Sequence, residues 1–225
     1  MKKLLWAAAA LSAALAFSGI QPARADIVDY GLTAGNCSNP CLTAFPGPYG
    51  NVEVNRTDST HATITFTSLS NAPGNGFMIG GGGVNVNASS FTVGSFTLGT
   101  TGTTGFSPGS VSTGSGNQDG FGSYNFTFDL SGGYTSTANS IQFTLTNVSG
   151  TWGSAADVLT ANNNNNLVAA HIFVCGSSPC AANNNSNTSG FATVPGPTLG
   201  AGLPGLLAAC AGLVVFARRR RSRFA

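Results

Sequence analysis

Short runs of alternating apolar and polar residues recur along the chain, and they place the two kinds of side chain on opposite faces, as in half-buried strands. Residues 91–98 also alternate, but their phase slips at Gly94 and Ser95, as a β-bulge requires. Residues 168–174 are apolar at nearly every position, which predicts a strand covered on both faces. The runs with clean alternation are residues 63–67, 84–87, 124–128 and 141–146.

Clusters of Gly, Ser, Asn and Thr separate these runs, as at residues 71–76 and 114–120, and they predict turns. Five asparagines at 162–166 indicate a surface loop, because strand-like sequence resumes at Leu167. For residues 26–182, where no long helical period occurs, we predict an all-β fold: an antiparallel β-sandwich of jelly-roll-like type. A β-solenoid is the alternative, but we find no repeat of fixed length.

The first 25 residues are typical of a secretory signal peptide. Lys2 and Lys3 precede an apolar run at 4–17, and Ala23 and Ala25 form a small-residue cleavage site. The sequence therefore predicts that signal peptidase removes residues 1–25 and that the rest of the chain is exported.

The C-terminal region divides into a spacer, a span and a basic tail. Residues 183–198 are rich in Asn, Ser, Thr, Gly and Pro and predict a flexible spacer. Residues 199–217 carry no charge and would reach about 28 Å as a helix, which predicts a transmembrane span. The cluster of arginines in residues 218–225 acts as a membrane stop signal and places the body in the periplasm or outside the cell. These arginines are Arg218, Arg219, Arg220, Arg221 and Arg223.

Charge is distributed very unevenly along the chain. The formal charge of the whole chain is +2, but residues 26–198 contain seven acidic residues and one basic residue, Arg56, and so carry −6. All other Lys and Arg lie in the predicted signal peptide or the tail. The body is therefore not predicted to bind nucleic acid.

The C-terminal region resembles the PEP-CTERM class of bacterial sorting tails, which join a Pro-x-Pro motif, a Gly-rich apolar helix and an Arg cluster. The resemblance covers about thirty residues. It implies recognition, and cleavage near the prolines, by a membrane-embedded exosortase in a bacterium that makes exopolysaccharide. The named motif has Glu where this chain has Gly196, so a permanent single-pass anchor is the alternative. The residues that carry the resemblance are Val194, Pro195, Gly196, Pro197, Gly202, Leu203, Pro204 and Gly205.

The five cysteines include four that an exported chain would carry into an oxidising compartment. Three connectivities are possible, and the short spacings favour the local pairs Cys37–Cys41 and Cys175–Cys180. A zinc site built from the four thiolates is the rival interpretation, but neither spacing is the usual two-residue knuckle. The fifth, Cys210, lies in the predicted span.

Two sequence motifs resemble those of enzymes, and both fail on chemistry. Residues 105–109 match G-x-S-x-G, but Pro108 follows Ser107 and has no N–H to offer an oxyanion. Residues 200–205 match G-x-G-x-x-G, but neither a second strand nor an acidic residue can follow in the remaining sequence. His61 and His171 lie in strand-like runs, which favours a structural or surface role over catalysis.

Metal and sugar binding are also weakly supported by the sequence. Asp119 and Asp129 could help to bind Ca²⁺, but no run places acidic residues at alternating positions, and Asx turns are better supported. Tyr124, Tyr134 and Trp152 could stack on sugar rings, although aromatic residues of β-sandwiches more often pack in the core.

These observations predict an exported surface or extracellular-matrix protein that has no catalytic role, cofactor or metal. It would be membrane-anchored or processed by an exosortase, and the family context implies contact with exopolysaccharide or a biofilm. The alternative is an exported carbohydrate-binding module or hydrolase whose site is not evident from the sequence.

Overall fold

The computed structural model describes residues 26–36, 42–71 and 74–196. They contain twelve strands and three short 3₁₀ helices, at Leu42–Ala44, Tyr134–Ser136 and Ala155–Asp157. The strands are β1 (Asp26–Leu32), β2 (Ala34–Gly35), β3 (Gly50–Arg56), β4 (His61–Ser68), β5 (Phe77–Val84), β6 (Phe91–Val93), β7 (Thr97–Gly99), β8 (Val111–Asn117), β9 (Ser123–Leu130), β10 (Ser140–Asn147), β11 (Asn166–Cys175) and β12 (Asn185–Pro195).

The strands form two antiparallel sheets, which confirms the predicted all-β fold and is consistent with a β-sandwich. Sheet A has the order β1-β3-β4-β10-β6, and β7 also pairs with β10. Sheet B has the order β2-β12-β11-β5-β9-β8. One large hydrophobic core takes residues from both sheets. At its centre Phe66 of sheet A contacts Phe128 of sheet B edge to face, with ring centroids 5.1 Å apart.

Alternation in the sequence produces this packing directly. In β4, Ala62, Ile64 and Phe66 are fully buried, while the residues between them are partly exposed. The alternating runs at 63–67, 124–128 and 141–146 lie in β4, β9 and β10, as predicted. The covered run at 168–174 lies in β11, between β12 and β5.

Other local predictions are only partly right. Residues 91–98 form two short strands, β6 and β7, which both pair with β10 on either side of the Gly94–Ser95 interruption. The run at 84–87 does not form a strand of its own, because β5 ends at Val84 and Val86 makes only an isolated bridge to Leu159. The first part of the predicted turn at 114–120 belongs to β8.

The predicted spacer at residues 183–198 is wrong for its described part. Residues 185–195 form β12, which pairs with β11 along its length and with β2 at Ala34 and Gly35. Thr188, Ala192 and Val194 in β12 are buried. Backbone hydrogen bonds to a strand already in place can order a polar segment that lacks a hydrophobic pattern of its own. The folded domain therefore continues past residue 182 to Gly196.

Several sequence predictions lie outside the described residues. These are the signal peptide at 1–25, the Cys37–Cys41 pair, Pro197, and the span and basic tail at 199–225. Among the residues that are described, no helix is long and apolar enough to cross a membrane.

Candidate functional site

The outer face of sheet B carries a groove that is centred on one row of cross-strand partners. Phe191 pairs with His171, His171 pairs with Gly81, and Gly81 pairs with Asp129. The neighbours of His171 in β11, Ala170 and Ile172, belong to the core, so His171 faces away from it. Because Gly81 has no side chain, the Asp129 carboxylate can lie against the β5 backbone, where a Cβ would otherwise be.

The β5 glycines beside this groove are buried, and a larger residue would not fit at these positions. A Cβ at Gly81 would lie 2.6 Å from Asp129 Oδ1 and 2.7 Å from the Phe128 carbonyl oxygen. A Cβ at Gly83, two residues further along β5, would lie 3.0 Å from the ring of Tyr124. Glycine is unfavourable in a strand interior and often marks a close approach of other groups. The Asp129 carboxylate, the Phe128 carbonyl oxygen and the Tyr124 ring therefore lie directly against the β5 backbone.

Aromatic rings line one side of the groove. The imidazole of His171 lies almost parallel to the ring of Phe191, at 9° and with 4.7 Å between centroids. Its distance to the Phe173 ring is 4.5 Å. Phe173 is in turn 6.3 Å from Tyr134. The rings of His171 and Phe191 line the groove, and Phe173 continues this aromatic wall beyond it, towards Tyr134.

Polar groups line the opposite side. The groove has a volume of about 420 Å³, which is in the range of small-molecule sites. Its polar lining offers hydroxyl, amide and carboxylate groups. The residues that supply them are Ser112, Thr113, Gln118, Thr127 and Asp129.

The loop between β8 and β9 is held against the far edge of the sheet. The side-chain amide of Asn36 donates to the Asp119 backbone oxygen at 2.5 Å and to its carboxylate at 3.2 Å. The same residue accepts a hydrogen bond from the Phe191 N–H at 2.7 Å. Asn36 thus connects the aromatic wall to the loop that carries Gln118.

The asparagine run fixes the same loop from a second direction. Asn162 and Asn166 each donate a side-chain N–H to the Phe121 carbonyl oxygen, at 2.9 and 3.0 Å. Asn164 donates to the Gly120 carbonyl oxygen at 3.4 Å. The run is a loop followed by a strand, as predicted, but its side chains also position the β8–β9 loop.

The electrostatics of the groove are dominated by carboxylates around a neutral imidazole. Burial lowers the pKa of His171 below its ordinary value, and the nearby charges of Asp129 and Asp119 partly offset this effect. Burial raises the pKa of Tyr124 to about 12, although the Thr193 and Asn162 side chains act to lower it. Near neutral pH the groove therefore presents a net negative charge.

The two histidines have different surroundings. His171 lies in the groove, whereas His61 is exposed at the start of β4, with its Nδ1 atom 2.9 Å from Asp58 Oδ2. The Thr60 N–H and the His61 ring hold the pKa of Asp58 well below its usual range. His61 and Asp58 therefore form a local surface pair.

The other candidate residues are distributed over the molecule. Ser107 lies in an irregular segment, where its N–H donates to the Thr135 carbonyl oxygen, so the strand-to-helix turn of a nucleophile elbow is not formed. Tyr124, Tyr134 and Trp152 are buried, as expected for core aromatics. The disulfide Cys175–Cys180 is formed, with a Cα–Cα distance of 5.5 Å.

The described part of the predicted sorting motif is the end of β12. Val194 pairs with Val168 and is 4% exposed, and Pro195 pairs with Asn166. The Gly196 N–H donates to the Asn165 carbonyl oxygen at 2.7 Å. These residues are thus integrated into sheet B.

Within residues 26–36, 42–71 and 74–196, no group of three or more His, Cys, Asp and Glu side chains is placed to hold a metal ion. No protein-family model, curated protein or solved structure matches the chain.

Sequence reasoning missed the groove because its lining residues lie on β8, β9, β11 and β12, which come together only when sheet B forms. A usable signal was present in the Gly80–Gly83 run, which is unusual for a buried strand. A second signal was the outward phase of His171 and Phe173 in an otherwise apolar strand. Neither signal shows which residues lie opposite these positions on the neighbouring strands, because that depends on the register of strand pairing.

Proposed function

We propose that the protein is an exported, non-catalytic surface or matrix protein that binds polysaccharide through the groove on sheet B. The leader at 1–25 and the Arg-rich tail support export and a membrane-associated location, with signal peptidase and an exosortase-type enzyme as processing partners. The observation that carries the binding proposal is the groove, which is lined by two aromatic rings, His171 and Phe191, and by several polar side chains.

Sugar rings suit such a groove because they have apolar C–H faces and hydroxyl edges. The His171 and Phe191 rings line the groove and offer apolar surface against which a sugar face can pack. Gln118, Thr127 and Asp129 offer hydrogen-bonding groups on the other side. The groove is also open to solvent, so a polymer could pass along it.

The charge of the domain favours a neutral polysaccharide over an acidic one. Asp129 and Asp119 both act on His171, and an anionic polymer would be repelled by them. Arg56 is the single Lys or Arg in residues 26–196, and its Nε atom is paired with Asp26 at 2.8 Å. We therefore expect neutral hexose polymers to bind.

Binding of the full chain to arrays of neutral and acidic polysaccharides tests the proposal. His171→Ala and Asp129→Asn should each weaken binding of a neutral polymer by about tenfold, which corresponds to about 1.4 kcal/mol. His61→Ala is the matched control, because His61 is exposed on the other sheet. Equal binding by all of these variants, or no binding by the parent chain, would refute the groove as a glycan site.

A hydrolase is the second candidate, because the groove contains both a carboxylate and an imidazole. Asp129 and His171 interact electrostatically, and such groups can serve as acid and base. Release of reducing ends from a bound polymer, and its loss in Asp129→Asn, would favour the hydrolase and overturn the non-catalytic proposal.

A further inference from the structure

A second concave surface lies at the end of β12. It is an apolar cleft of about 580 Å³ that lies between the two sheets. Val28 and Tyr30 of β1 form the side that belongs to sheet A, and Leu167 and Pro195 form the side that belongs to sheet B. Leu159 completes the apolar lining. The groove described above shares no residue with this cleft.

This end of the molecule has further apolar surface and an unpaired edge. In the described residues β1 pairs only with β3, so it is an edge strand of sheet A. Ile27, on the opposite face of β1 from Val28, is 57% exposed. Exposed apolar groups beside an apolar cleft are typical of a contact surface.

The path of the chain brings this surface close to the predicted span. Pro195 is the last residue of β12, and Gly196 is hydrogen-bonded to Asn165. Residue 199, where the predicted span begins, is four residues beyond Pro195 and can be at most about 14 Å from it. The headgroup layer itself is roughly 5–8 Å thick on each side of the bilayer. Pro195 would therefore lie within about 10 Å of the lipid surface.

We propose that this end of the sandwich rests on the outer surface of the bilayer, and that the cleft receives apolar groups from zwitterionic phospholipids there. The proposal rests on the predicted span, and so on the tail part of the proposed function. It does not depend on the groove.

The charges around the cleft select against anionic lipids. Asp29 is exposed on β1, and Asp157 is close enough to Tyr30 to act with burial in raising the pKa of its hydroxyl group. Asp26 lies at the start of the same strand but is paired with Arg56. Acidic headgroups would be repelled by the carboxylates of Asp29 and Asp157.

The test uses the full chain reconstituted into phosphatidylcholine vesicles that contain a lipid with a photoreactive group near the glycerol backbone. After illumination, mass spectrometry should find label in residues 156–161, at the cleft, as well as in the tail. Residues 100–105, which lie towards the Cys180 end of the domain, should carry several-fold less. Label in the tail alone would overturn the proposal.

A variant with a longer linker tests whether the short connection to the predicted span holds the cleft at the membrane. Inserting about twenty Gly and Ser residues after Gly196 would add a mean reach of roughly 25 Å. Label at 156–161 should fall several-fold while label in the tail persists, and undiminished label would show that the short connection does not hold the domain down. Replacing part of the phosphatidylcholine by phosphatidylglycerol should also reduce label at the cleft, and an increase would contradict the proposed lipid preference.

The glycan measurement keeps the two proposals distinguishable. Polysaccharide binding by the reconstituted chain reports on the groove independently of the lipid-labelling result. An unlabelled tail would refute the predicted span, and with it this inference, but would leave the groove proposal standing.

Discussion

Gly81 lets β9 approach the β5 backbone closely, because a Cβ there would lie 2.6 Å from Asp129 Oδ1. We predict that Gly81→Ala lowers the free energy of unfolding by about 1–3 kcal/mol, since the new Cβ would meet the Phe128 backbone oxygen, which cannot rotate away. Gly116→Ala is the control, because a Cβ there meets nothing within 4 Å. Urea unfolding followed by circular dichroism measures both, and equal stability of the two variants would contradict the prediction.

His171 should make stability depend on pH. Its folded pKa lies below the unfolded value of about 6.5, mainly because of burial. Between these two values the unfolded chain binds more protons, so the free energy of unfolding should decrease as the pH falls below about 6.5. The facing groups that oppose this are Asp129 on β9 and Asp119 on the β8–β9 loop.

Urea unfolding at several pH values measures this dependence. His171→Gln should flatten the curve in the interval just below pH 6.5. Asp26 has a lowered pKa, chiefly because the Ala155 N–H donates to it. Its contribution is lost only at more acidic pH, as the carboxylate becomes protonated. A parent curve without a slope just below pH 6.5 would contradict the role assigned to His171.

At the scale of single elements, the asparagine loop positions the β8–β9 loop. Asn162 donates to the Phe121 carbonyl oxygen and accepts hydrogen bonds from the Asn164 and Asn166 N–H groups. We predict that Asn162→Ala costs about 1–3 kcal/mol, because it removes the side-chain acceptor of the partly buried Asn166 N–H and one of the two side-chain donors to the Phe121 carbonyl oxygen. Hydrogen exchange of the amides at 118–122 should also become faster.

Asn163→Ala is the matched control, because Asn163 is exposed within the same run. It should change neither the stability nor the exchange rates of the loop. Equal protection of the loop in both variants would mean that the asparagines do not tether it.

The Cys175–Cys180 disulfide closes a short connection between β11 and β12. Removing it with Cys175→Ser and Cys180→Ser should lower the free energy of unfolding by about 2 kcal/mol, as expected for so short a loop. Polysaccharide binding should persist, because the disulfide does not line the groove. Urea unfolding with and without reductant measures the effect.

The same experiment bears on the predicted Cys37–Cys41 pair. If that pair is bridged, reductant should destabilise the double variant further. A double variant that is as stable as the parent would contradict the contribution assigned to Cys175–Cys180.

At the scale of the whole molecule, the end of β12 limits how the tail can be processed. Val194 is buried and paired in sheet B, so a peptidase cannot reach the Val194–Pro195 bond without separating β12 from β11. We predict that any processed form from the native cell ends at or after Gly196. Intact-mass measurement decides this: a terminus at Val194 would contradict it, and a species ending at Ala225 would indicate a permanent anchor.

Orientation is tested independently with alkaline-phosphatase fusions. The enzyme should be active when fused after Gly196 and inactive when fused after Ala225, because the arginines at 218–223 are expected to stay in the cytoplasm. Replacing Arg218 to Arg221 with Ser should impair membrane retention. An inactive fusion at Gly196 would reverse the predicted topology.

The sequence alone determined the all-β class and the core faces of β4, β9 and β10. A strand of alternating apolar and polar residues is stable in a sheet only when its apolar face is the buried one. It also favoured the Cys175–Cys180 bridge, whose two partners are close along the chain. Tertiary structure alone decided that the polar segment at 185–195 is a strand, since its order depends on backbone pairing with β11. The groove was decided in the same way: His171, Gly81 and Asp129 meet only through the register of three strands, and no local pattern encodes that register.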